Sequence, residues 1–155
     1  MSKAFGLIQK IFCDMIKARK EEPMKGVTLM NYGYINTFIT SIGEDVEGEI
    51  AKLKEAGAEE VANDVLSYRP ELNDLIDNKL KAGDTLYVYS FKRFSSGLRD
   101  LSALLKEIVE EKQVRVVSLK DDFDTATEAG KGALNAYHIA AKLTYEADPN
   151  FGFYL

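Results

Sequence analysis

The chain has 155 residues, of which 46% are hydrophobic and 29% charged, with a formal net charge of −5; this is one ordinary domain, able to bury a core without staples. No apolar run approaches the roughly 18 to 20 residues that span a bilayer, so no membrane partner is expected, and the single Cys13 excludes an internal disulfide. Residues 1–28 carry six Lys/Arg against three Asp/Glu, whereas residues 29–155 carry 14 against 22, so the acidic body implies weak or indirect DNA binding.

Phe5, Ile8, Ile11, Phe12, Met15 and Ile16 recur at three- and four-residue steps and predict an amphipathic helix that Pro23 ends. That helix and its linker are expected to occupy 1–28, outside a domain spanning 29–155. Cys13 falls on this segment and reads as a small core or interface residue. The first residues lack the apolar run and cleavage site of a secretory signal, so a cytoplasmic protein is expected.

"GVTLMNYGYIN" predicts the first strand, and "EDVEGEIAKLKEAG" a helix with Val46, Ile50 and Leu53 inward and Gly57 closing it. "AEEVANDV" reads as a short, weak strand. In "RPELNDLIDNKLKAGD" the proline sits at an early helical turn and Gly83 just past the end, which predicts a second helix. "TLYVYSF" is the next strand. "GLRDLSALLKEIVEEK" follows as a helix entered through Ser95 or Ser96 as cap, with Leu98, Leu101, Leu104, Leu105 and Ile108 on one face.

"VRVVSL" predicts a further strand. "DDFDTATEAG" reads as a polar loop in which Thr125 and Glu128 form a capping box before the last helix, "KGALNAYHIAAKLTYE". Strands alternating with helices predict a mostly parallel sheet, because parallel neighbours need crossover connections and helices supply them. His138 reads as a half-buried structural histidine, Asp122 and Asp124 as members of a capping loop, and Tyr32, Tyr34, Tyr87 and Tyr89 as strand residues with polar tips. No metal or cofactor is implied by these spacings.

In their order along the chain, "YGYI", "YRPEL", "KAGDTLYVYSFKRFSSGLRDLSALL" and "DTATEAG" resemble the catalytic domain of the resolvase/invertase family of serine recombinases, over about residues 31 to 146. The resemblance implies an α/β, three-layer domain: a mostly parallel sheet of four to five strands flanked by helices, here with an extra N-terminal helix. It implies a serine that attacks a DNA phosphodiester and arginines that neutralise the charge developing on phosphorus. It also implies a homo-oligomer or a recombinase partner, with a dimer surface on the last helix, here through Leu134, Tyr137, Ala141 and Tyr145.

Matching the family's tyrosine, any residue, arginine, valine, serine to "YINTF" puts Asn36 at the first arginine and Phe38 at the serine. Neither side chain can do the chemistry of the residue it replaces. Arg69 and Arg93 fall on two arginine positions and are the candidate phosphate ligands, whereas Lys92 and Ser96 stand at an aspartate and an arginine of the "FKRFSS" loop. Either arginine can instead pair with Asp64, Asp74 or Asp100. Counting backward from Gly57 lengthens the loop after the strand by about two residues and makes Thr40 or Ser41 the alternative nucleophile; a two-residue shift keeps every side chain on its face of the sheet. The expectation is a domain without catalytic activity that serves as a structural or regulatory partner in recombination of a mobile element or phage. No C-terminal DNA-binding module is expected after the last helix.

Overall fold

The computed structural model describes residues 28–38 and 40–147; the predicted helix at the start of the chain, Cys13 and the tail after Ala147 lie outside them. Five strands, β1 (Asn31–Asn36), β2 (Glu60–Asp64), β3 (Thr85–Val88), β4 (Arg115–Ser118) and β5 (Phe123–Asp124), form one sheet in the order β2-β1-β3-β4-β5. The first four are parallel, with Asn36 opposite Asp64, Tyr34 opposite Val88, and Val88 opposite Ser118. Strand β5 returns antiparallel to β4 through Ser118 and Phe123. It lies inside the stretch that reads as a polar loop, and two residues are too few to give an alternating pattern.

Alternation along β1 divides the core. Tyr32 and Tyr34 face a large cluster with Leu86, Val88 and Val116, while Ile35 faces a smaller one with Leu53 and Ala58. Helix α1 (Val46–Ala56) covers the smaller cluster; its N-cap Asp45 accepts from the Gly48 backbone N–H at 2.9 Å, and Gly57 at φ 120° lets its amide bond back to Leu53 and Lys54.

The large cluster is covered by α2, α3 and α4. Helix α2 (Pro70–Asp74, widening to a π-turn over Leu75–Lys79) buries Leu72, Leu75 and Ile76. Helix α3 (Leu98–Leu105, widening over Lys106–Glu111) buries Leu101, Leu104, Leu105 and Ile108. Its N-cap is Gly97, not Ser95 or Ser96: the Ser95 hydroxyl donates to the Phe91 carbonyl, and the Ser96 N–H donates to Asp100 at 2.8 Å. An aspartate one turn inside the helix thus reaches back over its entrance.

Helix α4 (Glu128–Ala147) packs on α3 and buries Leu134 and Ala141. Its cap is Thr127, which accepts from the Gly130 N–H at 3.0 Å, rather than Thr125. Thr125 is buried and accepts from the Val116 N–H at 3.0 Å, serving the sheet instead. Leu134 and Ala141 are each 8% exposed and Tyr137 packs against Phe91 and Phe123, so three of the four residues expected at a dimer surface belong to the domain's own packing. The outward side of α4 shows Ile139, Leu143 and Tyr145. No helix among the described residues is long and apolar enough to cross a membrane.

Candidate functional site

The chain leaves β1 for β2 on one side and reaches β3 on the other, so the strand order reverses between β1 and β3. Loops that diverge from the carboxyl ends of such neighbours leave a crevice between them, the usual ligand position in open α/β sheets. Here a cavity of about 160 Å³ lies at that place, lined by Asn36, Phe38, Ser67, Arg69, Lys92, Phe94, Ser95 and Ser96. Its surroundings present large apolar groups: Phe38, Ile42, Val65, Leu66 and Tyr68, on the loops after β1 and β2, are all exposed.

Arg69 is aimed by backbone geometry. Pro70 opens α2, and the next two amides, Glu71 and Leu72, donate to the Asp64 carboxylate at 2.9 and 3.0 Å. Asp64, 1% exposed at the end of β2, therefore does the work of a helix cap from another element, and it also accepts from the Tyr34 hydroxyl at 2.9 Å. Burial, and then this bond, push the Tyr34 phenol pKa up. Arg69 itself takes the left-handed conformation, φ 51°, and its guanidinium forms a two-pronged pair with Asp100 at 2.7 and 2.9 Å. The Asp100 hydrogen bond pushes the Arg69 pKa up.

Arg93 follows β3 in a 3-10 turn, Phe91–Arg93, and is 2% exposed. Its Nε donates to Glu49 at 2.8 Å and its Nη2 to Glu44 at 2.9 Å. Lys92 reaches the other Glu44 oxygen at 2.5 Å. The Lys92 hydrogen bond, followed by the Ser41 N–H, holds the Glu44 carboxyl down to about 2. Three cations at the crevice, Arg69, Lys92 and Arg93, are thus each matched by carboxylates of the same chain.

The expected site residues come together only in part, Thr40 with Arg93. Arg69 lines the cavity, whereas Arg93 sits between the lining residues Lys92 and Phe94 and is not itself one of them. Thr40 Oγ1 donates to the Thr37 carbonyl at 2.7 Å and accepts from Arg93 Nη1 at 3.2 Å, so it meets one of the two guanidinium groups and not the other. Ser41 is exposed, and its backbone N–H donates to Glu44. Phe38 stands at the cavity wall, and its N–H donates to the Asn36 side chain at 2.9 Å, which occupies the amide placed at the first arginine position. Asp100 is one of the partners expected for the arginines, whereas Glu44 and Glu49 are not; no local pattern ties residues 44 and 49 to residue 93.

In the "DTATEAG" loop, Asp124, Thr125, Thr127 and Gly130 each have a structural role. Asp124 pairs with Arg115 at 2.6 and 2.9 Å and accepts from the Ala126 N–H. Thr125 serves β4, Thr127 caps α4, and a Cβ on Gly130 would lie 1.8 Å from the Asp124 carbonyl oxygen. His138 bridges α4 to α3, with Nδ1 2.6 Å from the Ser102 hydroxyl and Nε2 3.1 Å from Glu110. Among the described residues no group of three or more His, Cys, Asp or Glu could hold a metal ion.

The model of the resolvase N-terminal domain matches residues 39–147. The chain belongs to the resolvase N-terminal domain family. The match begins after β1, so the strand that should deliver the serine lies outside it. The resolvase of transposon Tn917 from Enterococcus faecalis is 36% identical to this resolvase domain over 63 residues, 41% of this chain and 33% of that resolvase; the match spans a third of that relative's length. Two solved structures share the fold. The N-terminal catalytic domain of TP901-1 integrase superposes with a TM-score of 0.63 at 20% identity, covering 77% of this chain and 98% of that one. A resolvase family site-specific recombinase from Streptococcus pneumoniae gives 0.64 at 17% identity, covering 77% and 90%.

Proposed function

We propose that this resolvase domain does not cleave DNA and acts as a structural or regulatory partner in DNA recombination of a mobile element or phage. The observation that carries the reading is that Arg69, Lys92 and Arg93 are all held by carboxylates of the chain itself. Strand transfer through a phosphoserine needs a hydroxyl in line with phosphorus and cations free to meet the charge that develops there. Phe38 offers no hydroxyl at the serine position, and removing one such charge-stabilising donor costs on the order of a hundred- to a thousandfold in rate.

The exposed apolar groups around the crevice and the outward side of α4 suit protein contacts rather than a phosphate backbone. A second resolvase-family chain, either another copy or an active recombinase, is the partner this reading names. The test is incubation of the full chain with supercoiled plasmid, followed by denaturing electrophoresis for a covalent protein–DNA adduct. No adduct is expected. The Arg93–Thr40 contact favours one competing reading, in which Thr40 is the nucleophile; an adduct that disappears in Thr40→Ala or Ser41→Ala would establish cleavage and overturn the proposal.

A further inference from the structure

Helices α2, α3 and α4 cover one face of the sheet, and among the described residues α1 alone covers the other. It rests mainly on β2, β1 and β3. Five strands about 4.8 Å apart make a sheet about 19 Å wide, and a helix with its side chains covers about 10 Å of it. A strip of β3 and β4 is left beside α1. Tyr87 stands opposite Val117 there, and Tyr89 and Leu119 follow on the same side by alternation. These four are half-buried, whereas Leu86, Val88, Val116 and Ser118, which alternate with them and face the three helices, are buried. Lys52 of α1 borders the strip, 5.6 Å from the Tyr89 ring, and the Arg115–Asp124 pair borders it on the β5 side at 2.6 Å.

We propose that this strip is the docking site of the chain's own N-terminal segment, with the apolar stripe from Phe5 to Ile16 laid as a helix across Tyr87, Tyr89, Val117 and Leu119. The position of the segment in the chain favours it as the occupant. The register that sets Asn31 beside Thr85, and Thr85 beside Arg115, brings the chain into β1 at the end of the sheet where the strip begins. From β1 to β4 is two strand spacings, about 10 Å, and the residues 17–28 that join the stripe to β1 reach about 40 Å when extended. Charge favours it too: residues 1–28 carry six Lys/Arg against three Asp/Glu, and residues 29–155 carry 14 against 22. The exposed apolar groups around the crevice are the competing seat, but they lie at the opposite end of β1, on irregular loops that offer a helix no flat row of side chains.

Cys13, the chain's one cysteine, falls at the edge of the apolar stripe and gives a natural point for a nitroxide spin label. The experiment uses the full chain, labelled there and with nitrogen-15, and compares amide signals before and after the nitroxide is reduced. Val117, Leu119 and Tyr89 are expected to lose the most intensity, and the loops after β1 and β2 far less. The double variant Ile8→Glu with Ile11→Glu, which leaves every residue of the sheet in place, should abolish that loss and lower the melting temperature by about 5 °C. Lys10→Gln, off the stripe, should match wild type in both measurements.

Intensity lost chiefly around Ile42, Val65 and Tyr68 would place the segment at the crevice and overturn the proposal, and so would a loss spread evenly over the domain. An unchanged melting temperature in the double variant would overturn it as well. A mixture of spin-labelled chain without nitrogen-15 and nitrogen-15 chain without the spin label separates the remaining occupant. Loss at Val117 and Leu119 in that mixture would assign the strip to the segment of a second copy, against docking within one chain; full intensity there supports it.

Discussion

Asp64 shows how one side chain sets the position of another that carries charge. Its carboxylate receives the Tyr34 hydroxyl and two amides of α2, and so fixes the turn in which Arg69 adopts positive φ. Replacing it with alanine leaves three buried or half-buried donors without their acceptor, so Asp64→Ala should cost about 3 kcal/mol or more in urea unfolding, against about 1 kcal/mol for Tyr34→Phe. Near-equal losses would show that the amides find other acceptors. Gly130 is set by space rather than by hydrogen bonding: a methyl group there would overlap the Asp124 carbonyl. Gly130→Ala should lower stability by about 3 kcal/mol, the upper range for overpacking, and shift the amide signals of residues 124–130.

Helices α1 to α4 and strands β1 to β4 are legible in the sequence, because apolar spacing and the positions of Pro70, Gly57 and Gly83 report local geometry. Helix entrances are less legible. The entrance of α2 is satisfied by Asp64 from another element, and the α4 loop divides its two threonines between the sheet and the cap. Which threonine does which depends on where β4 passes, and periodicity holds no record of that. The site has the same limit: Arg69 and Arg93 are recognisable as arginines in motif positions, but the acids that hold them come from other elements. On α4, Ile139 and Leu143 are 61% and 59% exposed and lie one turn apart. Glu substitutions at both should leave the melting temperature within a degree or two of wild type. If α4 is the surface that meets another copy, sedimentation should shift from dimer to monomer, and an unchanged sedimentation coefficient would remove α4 from that role.

For the molecule as a whole, acid is the informative perturbation. Glu44 drops from 4.5 to about 2, and Asp124 is lowered by Arg115, so both bind fewer protons folded than unfolded. The stability they supply is complete above about pH 4.5 and is lost as pH falls toward 2. Thermal melts should show a falling midpoint across that window, with a shallower fall in Glu44→Gln; identical profiles would mean that Glu44 titrates without consequence for folding. The sheet's two outer strands bear on a different kind of durability. β5 has two residues and β2 has five, with Glu60 exposed and drawn to Lys79. Neither border gives an incoming chain a long, flat, uncharged row of amides to copy, so prolonged agitation of the concentrated protein should yield no thioflavin-positive fibrils seeded from the native fold.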